Sequence, residues 1–201
     1  EWESFQIGSD TYLAVANHID GSNYALNSVI YKWDGLKFSN HHTIATKGAI
    51  DWESFQIGSD TYLAVANLYD GSSYAQNSVI YKWDGSTFKS HQTIATKGAF
   101  DWESFQIGSD TYLAVANHYD GSNYAQNSVI YKWDGSTFVF HQNIPTKAGH
   151  ALKSFQIGLD TYLGVANYKD GSNRATNSVI YKWDGLKFSS HHTIPTKGAV
   201  A

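Results

Sequence analysis

The 201 residues contain no cysteine and no methionine, and only two prolines. Without cysteine there are no disulfides, no thiolate metal sites and no cysteine nucleophiles. The redox compartment stays open, because a chain of this length buries enough surface to hold together without cross-links. A sequence lacking methionine is read as beginning after processing or trimming, which leaves room for a removed secretory leader. No apolar run reaches the roughly 18 residues of a membrane span, and no basic-then-apolar leader opens the chain. Charge is also sparse, with 18 acidic and 14 basic side chains giving a net charge of −4 and an isoelectric point near 6.1. Such a chain has no electrostatic footprint for nucleic acid and none for insertion into an anionic membrane.

Glycine and aromatic residues are plentiful: 17 Gly, 7 Trp, 14 Tyr and 10 Phe. Aromatic and β-branched side chains suit pleated surfaces, so the composition predicts strands and turns. A shift of 50 residues superimposes the sequence on itself without a gap, giving copies at 1–50, 51–100, 101–150 and 151–200, with 30 of the 50 columns identical in all four. Within a copy, apolar content falls in four bursts, Trp2–Ile7, Thr11–Asn17, Ser28–Trp33 and Phe38–Ile44, each bounded by Gly, Asp, Asn or Ser. These read as a four-stranded antiparallel meander. Gly8-Ser9-Asp10 joins the first pair, and Asp34-Gly35, two residues that tolerate φ > 0, predicts a tight hairpin joining the last pair. The second and third bursts are apolar on both pleat faces, so both faces must be covered. Stacking the copies face to face does this, which predicts an all-β, β-propeller chain of four 50-residue blades forming one repeat domain. The four blades form either a closed four-blade ring or half of an eight-blade ring made by two chains, a homodimer.

Asp-Trp-Glu-Ser-Phe-Gln-Ile-Gly at 101–108, Thr-Tyr-Leu-Ala-Val-Ala-Asn at 111–117 and Asn-Ser-Val-Ile-Tyr-Lys-Trp-Asp-Gly at 127–135 resemble the epilepsy-associated or epitempin repeat (EAR, EPTP). Phe138, Gln142, Ile144 and Thr146 extend the match, and every copy carries it in order. The resemblance implies a propeller blade in a secreted or cell-surface protein, used for recognition of a receptor and not for catalysis. It also implies calcium near the start of the innermost strand, carried over to Asp51 and Asp101 and extending to Glu1, but not to Ala151.

The residues themselves offer repetition where catalysis needs convergent groups of different kinds. No phosphate-binding Gly loop, His-Glu-x-x-His or Gly-x-Ser-x-Gly occurs, so the chain is read as non-enzymatic. His41, His91, His141 and His191 recur on the fourth strand and read as surface or packing imidazoles. The longest loop, His18–Leu26 in the first copy, is variable between fixed Asn17 and Asn27. Its Asp-Gly-Ser reads first as a turn, with too few carboxylates for a calcium loop. It also sets a carboxylate, an amide and aromatic rings side by side, the chemistry that accepts sugar hydroxyls and stacks on a sugar face. The candidate ligand-binding residues are Tyr69, Asp70 and Tyr74 in copy two and Tyr119, Asp120, Asn123 and Tyr124 in copy three. An up-and-down blade puts this loop on the rim where one copy joins the next, which places Lys47, Asp51 and Trp52 near the same mouth. Copies one to three carry −2, −2 and −3, whereas copy four carries +3. In copy four, Lys169 and Arg174 are expected to weaken or alter the site. Three functions fit: multivalent binding of a glycan or glycoprotein, receptor-binding adhesion of the EAR kind, or a structural building block.

Overall fold

The structure, a computed structural model, describes residues 1–200. Sixteen strands occur: β1 (Trp2–Ile7), β2 (Asp10–Val15), β3 (Ala25–Trp33), β4 (Phe38–Lys47), β5 (Ala49–Ile57), β6 (Asp60–Asn67), β7 (Ala75–Trp83) and β8 (Phe88–Lys97) in the first half. In the second half come β9 (Ala99–Ile107), β10 (Asp110–Asn117), β11 (Ala125–Trp133), β12 (Phe138–Lys147), β13 (Gly149–Ile157), β14 (Asp160–Asn167), β15 (Asn177–Trp183) and β16 (Phe188–Pro195). They pair into four antiparallel meanders, each of four consecutive strands. Among the described residues no helix is long and apolar enough to cross a membrane. The chain divides into two compact units, the first Glu1–Gly98 and the second beginning at Ala99.

In the first unit, Phe5, Tyr12, Ala14, Ile30 and Ile44 of the first sheet are buried against Trp52, Leu63, Val65, Tyr81 and Phe88 of the second. In the second unit the same columns recur: Phe105, Tyr112, Ala114, Ile130 and Ile144 against Leu152, Leu163, Val165, Tyr181 and Phe188. In each unit one sheet thus presents columns 5, 12, 14, 30 and 44 of the repeat and the other receives them, so the repeat has an apolar use for either face. The aromatic contacts repeat as well, with Phe5 meeting Phe88 edge-on at 5.8 Å and Phe105 meeting Phe188 at 5.7 Å.

Carboxylates of the innermost strands tie neighbouring sheets together. Ser54 donates its N–H and its hydroxyl to Glu3 Oε1, at 3.3 and 2.5 Å. Ser154 donates both to Glu103 Oε1 at 2.7 Å, and the Leu152 N–H donates to Asp101 Oδ2 at 2.6 Å. Hydrogen bonds to an ionised acceptor are stronger than neutral ones, so these acids fix the register between blades as well as their spacing.

Two local features differ from the sequence expectation. The β3–β4 connection is a four-residue loop closed by the Trp33–Phe38 pair, not a two-residue Asp-Gly turn. Only Gly35 takes a positive φ there, 98°. Asp34 caps the loop instead, its Oδ1 accepting from the N–H groups of Leu36 and Lys37 at 2.9 Å. The fourth strand also carries a β-bulge: Ile30 pairs with His42 and Tyr31 with Asn40, leaving His41 unpaired in the ladder. The bulge turns His41 onto the sheet face, where its ring lies 5.7 Å from Trp83 of the next sheet and 5.4 Å from Tyr12. His141 repeats this against Trp183 at 5.7 Å. These imidazoles are packing residues, and they pack between blades.

Candidate functional site

The loop joining the second and third strands of each sheet lies beside the junction between sheets. Gly48, the single residue between β4 and β5, donates its N–H to the Tyr24 carbonyl at 2.7 Å and accepts from Leu68 N–H at 3.2 Å. Its φ is +54°, and a Cβ there would stand 2.5 Å from the Tyr69 carbonyl oxygen, so only glycine allows this close approach. The expected placement of loop and junction on one rim holds for Lys47, whose Nζ stands 3.9 Å from Asp70 Oδ2. It fails for Trp52, which is buried in the core between the first two sheets. Column two of the repeat faces the neighbouring sheet, and an indole there fills the interface.

The loops are ordered by their own side chains. Asp70 Oδ1 accepts from the Ser72 N–H (2.9 Å), the Ser72 hydroxyl (2.8 Å) and the Ser73 N–H (2.8 Å). Asp120 does the same with Ser122 and Asn123. These backbone donors hold both carboxyls far below the usual carboxylate range, so the loops carry a permanent negative charge. Tyr69 lies 4.4 Å from Tyr74, and Tyr119 stacks on Tyr124 at 4.3 Å. The Tyr69 and Tyr119 hydroxyls donate to the carbonyls of Gly71 and Gly121 at 2.8 and 2.7 Å. Asn123 Oδ1 accepts from the Ala125 N–H at 2.8 Å. The seven candidate ligand-binding residues therefore gather into two half-exposed clusters, with much of their polar capacity spent on loop order.

Each ring also meets the next loop. Tyr24 meets Tyr69 edge-on at 4.9 Å. At the equivalent place in the second unit, Lys169 Nζ sits 4.0 Å over the Tyr124 ring, while Arg174 covers Tyr168 at 4.9 Å. Lys169 thus acts on the ring of the third copy, one blade away from where the sequence located its effect.

Each unit has a recess on the loop rim, which includes Asp70 of the copy-two cluster in the first unit and Asp170 of the fourth-copy loop in the second. In the first unit, a recess of about 370 Å³ is lined by Lys47, Asn67, Asp70 and Gln76. In the second, one of about 520 Å³ is lined by Lys147, Asn167, Asp170 and Thr176. Its floor is anchored by the fixed asparagine: Asn67 Oδ1 accepts from the Lys47 N–H at 3.0 Å, and Asn167 Oδ1 from the Lys147 N–H at 2.8 Å. The Lys147–Asp170 ion pair is closed at 2.7 Å, whereas Lys47–Asp70 is stretched to 3.9 Å. Sequence reasoning took the asparagines as flanks of the loop. A single repeat does not show the pairing; it emerges only across the three junctions, where Lys47/Asn67, Lys97/Asn117 and Lys147/Asn167 stand 20 positions apart.

Asp51 is buried in the first unit, and Asp101 in the second accepts from Leu152. Among the described residues no group of three or more His, Asp or Glu side chains stands at metal-binding spacing. A calcium ion at these acids would depend on backbone carbonyls for most of its six to eight oxygens.

A sequence profile of the EPTP domain matches residues 1–34, 37–84, 87–134 and 137–184. The chain belongs to the EPTP domain family. The first matched unit covers β1–β3, and the other three run from one β3–β4 type hairpin to the next, so each of those joins the last strand of one sheet to the first three of the following one. A human thrombospondin-type laminin G domain and EAR repeat-containing protein is 47% identical over 53 residues, 25% of this chain and 8% of that protein. Its mouse counterpart is 42% identical over 52 residues, covering the same shares of each. Among solved structures, an exo-β-1,3-galactanase from Clostridium thermocellum matches 97% of this EPTP chain and 48% of its own, with a TM-score of 0.65 at 11% identity. The Phanerochaete chrysosporium exo-β-1,3-galactanase with β-1,3-galactotriose matches 96% and 49%, with a TM-score of 0.62 at 13% identity. These likenesses concern the β-propeller fold.

Proposed function

We propose that this EPTP chain is a non-catalytic, extracellular recognition module that binds glycans or glycoproteins at the loop rim. The observation that carries the reading is the recurrence, in both units, of a recess with the same floor: a Lys beside an Asp, and an Asn bonded to the junction. Recesses of this size accommodate small ligands, and a carboxylate with an ammonium at fixed spacing accepts from and donates to vicinal hydroxyls. Half-exposed tyrosines beside the recess supply an apolar surface. Weak sites on consecutive blades gain through effective concentration, which suits a repeated glycan better than a single asymmetric protein. The glycosidase propellers lend the fold a precedent for sugar binding and nothing finer.

The test is a glycan array and haemagglutination with folded protein, in calcium and in chelator. Binding should appear and should weaken in Lys47→Ala and Asp70→Asn. A difference between the calcium and chelator arms would support calcium at Asp51 and Asp101. Absence of sugar binding and of agglutination in both arms sinks the reading. One observation favours receptor-binding adhesion as the second reading: Lys169 and Arg174 make the fourth loop unlike the others, as a single protein partner would use. Capture of a receptor ectodomain, lost in Lys169→Ala, would then be expected.

A further inference from the structure

One face of the first sheet and one face of the last carry large apolar side chains that are exposed where their repeat equivalents are buried. On the first sheet it is the receiving face: Trp2 is 69% exposed where Trp52 is 2%, and Phe38 is 41% exposed where Phe88 is 3%. On the last sheet it is the presenting face: Ile194 is 41% exposed where Ile144 is 1%, and Phe155 is exposed where Phe105 is buried. Both faces keep the residue types that meet inside each unit. Phe155, Tyr162 and His191 stand in the columns of Phe5, Tyr12 and His41. Trp33 and Phe38 stand in the columns of Trp83 and Phe88, which receive those three rings at 5.6 to 5.8 Å.

We propose that these two different faces are complementary to each other, so that the last blade of one copy of this chain docks against the first blade of a second copy. The internal interfaces supply the template: Phe155 should meet Phe38 of the second copy edge-on, with Tyr162 and His191 against its Trp33. Charge points to the same occupant, because the first copy of the repeat carries −2 and the fourth +3. Column three sharpens this. Inside the second unit, Lys153 Nζ lies 3.1 Å from Glu103 Oε2, so residues of this column touch between adjacent blades. On the proposed interface Lys153 faces Glu3 of the second copy, repeating the Lys–Glu pairing of the second unit with an opposite charge on each blade. The contact is heterologous, so it closes into a ring or continues into a filament. Propellers close on roughly four to eight blades, so the two-copy assembly is the closed form this contact can build.

The test is light scattering coupled to size exclusion, from low micromolar to submillimolar protein. The wild type should move toward twice the 22.3 kDa chain mass as concentration rises. Phe38→Asp and Ile194→Asp alter side chains exposed in the single chain, so they should fold normally by circular dichroism and remain single chains throughout. Mixing the two variants leaves one intact pair of faces, and part of the heavier species should return. A wild type that stays a single chain at every concentration overturns the proposal and assigns the two faces to blades from another source. A dimer unaffected by either substitution overturns it by placing the interface elsewhere, and masses that climb beyond two copies overturn the closed form.

Discussion

The two units share their strand order and their third-to-fourth-strand bulges, and differ most along one rim. In the first, the loop rim is a row of tyrosines, Tyr24, Tyr69 and Tyr74, backed by His18, Ile50 and Leu68. In the second, the positions of His18, Ile50 and Leu68 are His118, His150 and Tyr168, gathered with Phe100: His150 lies 3.9 Å from Phe100, 5.4 Å from Tyr168 and 6.0 Å from His118. Phe100 and His150 are the bulge residues that open the innermost strands, turned out of the ladder toward the rim. Columns that build the faces are nearly constant because each residue packs against its own repeat one blade away. Columns at the rim contact only loops and solvent, and there the sequence is free to diverge. The same scaffold thus presents an aromatic surface in one unit and a titratable one in the other.

The largest effect should come from the shared faces. Trp52 and Leu152 occupy the same column in the two units, and both are buried. Trp52→Ala should cost about 4 kcal/mol and Leu152→Ala about 3 kcal/mol, as transfer and cavity terms for buried residues of these sizes indicate. Denaturant unfolding with wild-type slopes would measure both. A loss under about 1 kcal/mol in either would break the claim that the two interfaces are equivalent.

The rim of the second unit should respond to pH. Burial, then the nearby charges of His150 and Lys169, lowers the His118 pKa to about 4, and burial lowers that of His150 as well. Neither imidazole has a partner for its Nδ1, so both are held neutral by their surroundings. An unfolded histidine titrates near 6.5, so below that pH the unfolded chain binds the extra proton. The His118 contribution is therefore complete above pH ~6.5, is lost as the pH falls toward about 4, and is flat below that. The expected loss is up to about 3 kcal/mol, reduced to the extent that the ring is solvated. His118→Leu, the residue that copy two carries at this column as Leu68, should flatten thermal stability between pH 7 and 4.5 relative to wild type. Equal pH dependence in both proteins would show that the cluster opens to water on protonation and couples to nothing.

Much of this architecture can be read from the sequence. The 50-residue period, the four bursts and the apolarity of both faces follow from side-chain size and spacing, and each corresponds to a strand or face in the structure. The third and fourth bursts came out short, because Ala25–Asn27 and Ala45–Lys47 are weakly apolar yet continue the ladder as backbone. The bulges were not legible: His41 alternates correctly with its neighbours, and only pairing with the partner strand reveals the extra residue. The gathering of Tyr69, Asp70 and Tyr74 could be expected from chain proximity. The recess could not, since Lys47 and Asn67 meet through a junction between copies, where a single repeat carries no signal. Lys169 was assigned to its own copy for the same reason, although its ammonium reaches back over Tyr124.

The smallest expected effect lies at that junction, where the units differ by an exchange of two small residues. The first unit reads Gly48-Ala49 and the second Ala148-Gly149. Ala148 adopts φ 48°, the only positive φ at a non-glycine position among the described residues, and makes the same bonds as Gly48: its N–H donates to the Tyr124 carbonyl and its carbonyl accepts from Tyr168. An L-residue in this region costs about 1–2 kcal/mol relative to glycine. Gly149 meanwhile leaves unfilled the place of Ala49, a core residue of the first unit. A Cβ at Gly149 would meet Ser128 Oγ at 2.8 Å, but Ala49 and Ala99 are accommodated at the equivalent positions. Restoring the order of the first unit, Ala148→Gly with Gly149→Ala, should therefore stabilise the chain by about 1 kcal/mol, or a rise of roughly 2–4 °C in Tm for a chain of this size. The reverse change in the first unit, Gly48→Ala, should lower Tm by more, because its Cβ would run into the Tyr69 carbonyl as well as the unfavourable φ. If Ala148→Gly alone lowers Tm, the added freedom of the unfolded chain outweighs the relieved strain, and the junction of the second unit is as well adapted to alanine as the first is to glycine.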